Sequence, residues 1–168
     1  VRGSAVTVPQ FDFKSGKRRE VTHPFSVEPG QPIIIEGIHA LNPILSEGIP
    51  REKTFRIYLS ALTQLGIDDD TILSTSDNRL IRRLVRDHRF RGHDAKRTLS
   101  MWPSVRRGEE KWIFPFQENA DVIFNSSTLY ELAVLKRHIF PLLDAIGPED
   151  DCYDQVRGIV KILNYVYE

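Results

Sequence analysis

Short apolar runs alternate along this chain with longer stretches in which apolar residues return every three or four positions, and that alternation predicts an α/β fold. Pro32-Ile33-Ile34-Ile35-Glu36-Gly37 is a continuous β-branched run of the kind buried on both faces of a parallel sheet. Thr54 to Leu59 and Ala120 to Phe124 have the same character. Residues 5 to 11 and 20 to 28 flank a polar turn with glycine, Lys14-Ser15-Gly16-Lys17, and predict a β-hairpin. Helical patterns fall near 76 to 91, 94 to 107, 128 to 143 and 152 to 166, the second broken or bent at Pro103. Three parallel strands with an attached hairpin make half a doubly wound domain, so the expected architecture is a mainly parallel sheet flanked by helices in an incomplete domain. No repeat, low-complexity tract or linker divides it, and residues 1 to 168 read as part of a single domain. The last helix, within about 150 to 166, carries a Val156, Ile159, Val160 and Leu163 stripe that packs either internally or against a partner, a homo-oligomer included.

Charge changes this picture at one place. The 168 residues hold 23 Lys and Arg against 23 Asp and Glu, yet Arg82, Arg83, Arg86, Arg89 and Arg91 crowd into one short segment. On a helix, Arg79, Arg82 or Arg83, and Arg86 share a stripe, while Leu80, Leu84, Ile81 and Val85 face a core. Asp77 or Ser76 suits the helix start and Gly92 its end. One reading is a solvated helix whose arginines pair with Asp87 and other carboxylates; the other is a site for a small anion. Overall neutrality argues against a general nucleic-acid binder. The longest apolar run is too short for a membrane span and no signal peptide opens the chain, which leads to the expectation of a cytoplasmic protein. The single cysteine, Cys152, has no disulfide or metal-ligand partner at a suitable spacing, and His23, His39, His88, His93 and His138 show no metal spacing either.

Two further places carry candidate chemistry. Glu36 ends the apolar strand just before Gly37, which places a carboxylate where open α/β sheets bind ligands; it either holds a metal linked to a nucleotide or caps the following loop. Phe11-Asp12-Phe13 sets an acid between two rings at the lip of the hairpin, an arrangement that suits a planar substrate or, more plainly, two core phenylalanines around a surface aspartate. Trp102, Trp112, Phe114 and Phe116 read as packing. Neither G-x-x-x-x-G-K-[ST] nor G-x-G-x-x-G occurs, so these residues contain no phosphate cradle.

Several motifs taken together resemble the uridine kinases and their phosphoribulokinase-like relatives. They are Phe11-Asp12-Phe13 with Lys17-Arg18, Ile33 to Ile38, Arg82-Arg-Leu-Val-Arg-Asp87 with Arg91-Gly92, and Ala120-Asp121-Val122-Ile123, in order and at similar spacing over roughly residues 5 to 143. The stretch from Gly108 to Asp121 resembles a bacterial uridine-kinase-like subgroup. The resemblance implies a P-loop NTPase-like fold with an arginine-rich lid helix at about 76 to 95. It also implies transfer of the γ-phosphoryl of ATP to a nucleoside 5′-hydroxyl, with Mg²⁺ bridging the phosphates. By position, Glu36 would help hold the metal, Phe11, Asp12, Phe13, Ile38 and His93 would meet the acceptor, and Arg83, Arg86 and Arg91 would form the lid, the last two also touching ATP.

Three departures fall on acceptor recognition. Gly16 stands where these enzymes usually have a base-reading histidine, His93 where a further lid arginine follows the glycine, and Met101 where a pyrimidine-site glutamine is expected. The family's catalytic aspartate and P-loop lysine would lie upstream of Val1, so the chain is expected to be the C-terminal part of a kinase domain, inactive alone. A kinase for another hydroxyl or sugar-phosphate acceptor and a non-catalytic nucleotide- or anion-binding module remain the alternatives.

Overall fold

The computed structural model describes residues 4–63, 65–66, 72–128 and 130–167; Val1, the expected mid-domain start, and Leu129, within an expected helix, lie outside them. The chain forms two compact units, residues 1–40 and 41–168.

The first unit is built on the expected hairpin. Strand β1 (Val6–Asp12) runs antiparallel to β2 (Lys17–Phe25), pairing Val6 with Phe25 and Asp12 with Lys17, with a register shift between Pro9 and Phe11. The turn closes when the Gly16 N–H donates to the Asp12 carbonyl at 2.9 Å. Gly16 has φ 69°, a left-handed conformation that a side chain disfavours. The predicted strand at 32–37 is not formed. Ile33, Ile34 and Ile35 are exposed, Ile34 to 90%. A doubly buried parallel strand needs hydrogen-bonding neighbours and covering helices. Here β1 and β2 take each other as partners, and no described strand pairs with the isoleucine run.

The second unit supplies the α/β part. Strand β3 (Ile57–Ser60) pairs in parallel with β6 (Val122–Asn125), Ile57 opposite Val122 and Ser60 opposite Asn125. Two short strands, β4 (Leu65–Gly66) and β5 (Ile72–Leu73), form a separate antiparallel pair. Around them stand α1 (Thr75–Arg86), α2 (Ala95–Trp112), α3 (Glu131–Leu143) and α4 (Tyr153–Asn164). The sheet is covered less than the sequence predicts. Tyr58 and Ser60 are buried, but Ile57, Leu59, Val122, Ile123 and Phe124 remain exposed.

The core lies among the helices. Leu80, Ile81, Leu84 and Val85 of α1 pack with Ala95, Leu99 and Trp102 of α2, Leu132, Ile139 and Leu143 of α3, and Val156, Ile159, Ile162 and Leu163 of α4. The α4 stripe therefore packs internally through Val156, Ile159 and Leu163, with Val160 partly buried against the same core. Helix α2 runs through Pro103 without ending and reaches Trp112, longer than predicted, while Trp102 enters the core. Among the described residues, no helix is long and apolar enough to cross a membrane.

Candidate functional site

Helix α1 starts in a capping box rather than at the predicted Ser76 or Asp77. Ser74 is the N-cap, its hydroxyl accepting from the Asp77 N–H at 3.1 Å, and the Asp77 carboxylate accepts from the Ser74 N–H at 3.1 Å. The helix root is tied to the carboxyl end of β3. Thr75 Oγ1 accepts from the Thr63 N–H and donates to the Thr63 carbonyl, both at 3.0 Å, and Asn78 Nδ2 donates to Thr63 Oγ1 at 2.8 Å. Polar side chains thus fix α1 where parallel sheets present ligand sites.

Arg79 and two arginines of the basic run, Arg82 and Arg89, fasten the helix to its neighbours. Arg79 pairs at 2.6 Å with Glu109 of α2, which also meets Arg106 at 3.0 Å and is only 2% exposed. Arg82 reaches Glu131 of α3 with Nε at 2.5 Å and Nη2 at 2.6 Å, and donates to the Ser126 carbonyl at 3.2 Å. Arg89 lies 3.1 Å from the His138 ring.

The other three converge. After Arg86 the helix widens into one π-turn, Asp87–Arg91, closed when the Gly92 N–H donates to the Asp87 carbonyl. Gly92 then turns the chain with φ 68°. The Asp87 side chain is fully buried, and Arg83 Nε, Arg86 Nε and Arg91 Nη1 approach it at 3.1, 3.4 and 3.1 Å. His93 Nδ1 stands 3.9 Å from the same carboxylate. The Arg83 contact is close but not aligned as a hydrogen bond, which leaves Asp87 Oδ2, Arg83 Nε and His93 Nδ1 without one. Three guanidiniums around one carboxylate leave these four side chains with a net charge of +2. Burial and repulsion from Arg91 hold the Arg86 guanidinium below its ordinary pKa, while Asp87 opposes the shift. An anion placed against Arg86, whose side chain is half exposed, would relieve that repulsion.

The remaining predicted site residues all belong to residues 1–40. Phe11 and Phe13 meet edge to face, ring centres 5.2 Å apart, and both are more than half exposed. They are surface rings rather than core ones. Asp12 is held by its own turn: Oδ1 accepts from the Lys14 N–H at 2.9 Å and the Ser15 N–H at 3.3 Å, and Arg19 approaches Oδ2 at 3.4 Å. Those backbone donors, with Arg19 adding less, hold its carboxyl below the usual aspartate range. Glu36 and Ile38 are exposed in chain outside any strand, so Glu36 does not end a buried sheet strand as its sequence context predicts. Among the described residues no group of three or more His, Cys, Asp or Glu is placed to hold a metal.

The model of the phosphoribulokinase / uridine kinase family matches residues 1–133. The chain belongs to that family. Uridine kinases of Staphylococcus aureus strains JH9, Newman and JH1 are each 31% identical to it over 134 residues, 79% of this chain and 56% of the relative. The chain thus spans a little over half the length of these curated relatives. Residues 134–168, which hold most of α3 and all of α4, lie beyond the part the family model matches. Within the family match, sequence reasoning overlooked Asp87 as more than a surface partner. Its signal was the spacing Arg83, Asp87, Arg91, an i, i+4, i+8 series that puts an acid between two bases along one helix face.

Proposed function

We propose that these residues form the C-terminal part of an ATP-dependent kinase that phosphorylates a nucleoside of the uridine or cytidine type at its 5′-hydroxyl. The observation that carries this reading is the convergence of Arg83, Arg86 and Arg91 on one buried carboxylate at the end of α1. In phosphoryl transfer the bond from the γ-phosphorus to the β-bridging oxygen breaks as a bond to the acceptor oxygen forms. Catalysis is mostly positioning and neutralisation of the equatorial oxygens. Clustered guanidiniums do both, so we assign these three the role of a lid, with Arg86 and Arg91 against the phosphates of ATP. Phe11, Phe13 and Ile38 offer exposed apolar surface for the acceptor, and Asp12 a carboxylate beside it. His93 belongs to the arginine end.

ATP supplies the phosphoryl group and Mg²⁺ would screen its charge. Glu36 would supply one carboxylate to that metal, the remaining ligands coming from outside the described residues. The exposed faces of β3 and β6, with the exposed isoleucines 33–35, agree with a chain that is one part of a larger kinase domain.

A second acceptor class is favoured by one specific observation. Gly16 sits in a left-handed turn that a base-reading histidine would strain, and together with His93 and Met101 this points away from strict uridine recognition. A phosphate-transfer assay on the full-length parent protein, run against nucleosides and sugar phosphates, tests both. Arg83→Ala is expected to lower kcat by about 10²- to 10³-fold on the true acceptor, the scale for losing one transition-state donor. Normal turnover in that variant sinks the lid assignment; turnover on sugar phosphates alone moves the acceptor.

A further inference from the structure

The buried carboxylate at the centre of the arginine cluster invites a closer reading than its charge suggests. A carboxylate removed from water must be paired, and removal of one partner of such a pair is costly. Asp87 is 0% exposed and answers to three cations from two different turns: Arg83 and Arg86 from α1, and Arg91 from the π-turn. Its main chain closes the same turn, because the Asp87 carbonyl accepts from the Gly92 N–H and, at 3.2 Å, from the His93 N–H. One residue thus holds Arg91 by its side chain and, by its backbone, closes the turn that carries Arg91. Simple Coulomb counting would make Asp87 a hindrance to an anionic ligand, since it removes one unit of positive charge from the cluster. Geometry argues the reverse. Three long, like-charged side chains would spread apart in water, and an anion that collected them again would have to bear the cost of ordering each one.

We infer that Asp87 is a positioning residue: its buried carboxylate gathers Arg83, Arg86 and Arg91 into one fan before any phosphate arrives. The inference rests on the reading of that cluster as a phosphate site. The carboxylate serves as a fixed counter-ion behind the guanidiniums, and the face of Arg86 that remains exposed is the one a phosphate meets. Asp87 itself touches neither ligand nor reacting atoms.

The opposed signs of charge and geometry make the test sharp. Inorganic tripolyphosphate is titrated calorimetrically, at fixed ionic strength, into the chain as it stands and into Arg91→Gln, Asp87→Asn, the double variant and Asp87→Glu. Arg91→Gln is expected to weaken binding roughly tenfold, as for loss of one charge-assisted hydrogen bond. Asp87→Asn is expected to weaken it by about as much although the cluster becomes more positive, and the double variant is expected to be no weaker than Asp87→Asn alone, because the two residues act as one unit. Asp87→Glu, which keeps the charge and moves it by one methylene, should fall between wild type and Asp87→Asn. Tripolyphosphate binding as tight as or tighter than wild type in Asp87→Asn, or additive losses in the double variant, overturns the inference and leaves the phosphate site standing. If Asp87→Asn does not melt cooperatively, Asp87→Glu decides, and unchanged affinity there overturns the inference. Failure of Arg91→Gln to alter binding removes the phosphate site itself, a separate result.

Discussion

The arginine helix and the aromatic hairpin hold the two most suggestive motifs of the chain, and they are built in opposite ways. Arg83, Arg86 and Arg91 ride on a segment whose inner face, Leu80, Ile81 and Leu84, is at most 2% exposed. Phe11 and Phe13 sit on a two-stranded ribbon with their rings in solvent. In the first case the side chains inherit their positions from a core; in the second they depend on backbone pairing and one aspartate-bound turn. A site that must fix charge needs the first kind of support, whereas a surface that must accept a flat ligand can begin as the second.

Truncating the two supports should separate them most clearly. Leu84→Ala or Ile81→Ala is expected to cost about 2–5 kcal/mol in urea unfolding, the range for emptying a buried aliphatic site. Phe11→Ala should stay within about 1 kcal/mol, as exposed positions do. Similar losses in both would mean that the hairpin has a core of its own and would break the contrast.

A smaller effect bears on the arginine helix alone. Ser74→Ala removes the hydroxyl side of the capping box and should cost about 1 kcal/mol by the same melts, with Ser74→Thr close to wild type. No loss would show that the polar ties to Thr63, rather than the cap, hold the helix start.

The weakest lever is acid. Arg51, by a side-chain hydrogen bond, and then the Arg56 N–H hold the Asp121 carboxyl below its ordinary value; Lys96 and the Gly147 N–H do the same for Asp150. A carboxylate with a depressed folded pKa adds stability above its unfolded value, about 3.9, and that stability is lost as pH falls through the folded value. Melting temperatures should therefore begin to drop below about pH 4. Asp121→Asn with Asp150→Asn should flatten that drop without changing its sign elsewhere. Asp12 is depressed in the same direction by the Lys14 and Ser15 N–H groups, so the hairpin should share the acid sensitivity even though it lacks the core. If only residues 41–168 respond, the turn aspartate is not what holds the hairpin.

What the sequence made legible follows the same division. Leu80, Ile81, Leu84 and Val85 repeat at helical spacing, and the helix they imply is there with its basic face. Ser74 was missed as its cap because Asp77 and Ser76 are also capping residues, and only the backbone shows which one lies in the extended conformation. The strands at 54–59 and 120–124 were visible as apolar runs, offset from the observed β3 and β6 by one to three residues. Ile33 to Ile35 looked the strongest strand of all. Local preference cannot form a doubly buried strand without neighbours, and none of the described strands pairs with it. In the candidate site, Arg83, Arg86, Arg91 and His93 were readable, and the structure brings all four to Asp87. The central role of Asp87 was not. An acid among arginines on a helix is usually a surface partner, and its complete burial is a property of the packed fold.

The single π-turn after Arg86 has one more consequence, which concerns phase. Four residues of ordinary α-helix overshoot a full rotation by about 40°, so Arg83, Asp87 and Arg91 on a straight helix would drift steadily around its axis. A wider turn between Asp87 and Arg91 winds more slowly and takes back part of that drift. The extra backbone thus acts as a phase corrector, returning the last guanidinium to the azimuth of the first. Deleting one residue between positions 87 and 91 would swing Arg91 by about 100° and leave the sequence almost as basic as before, with the fan opened.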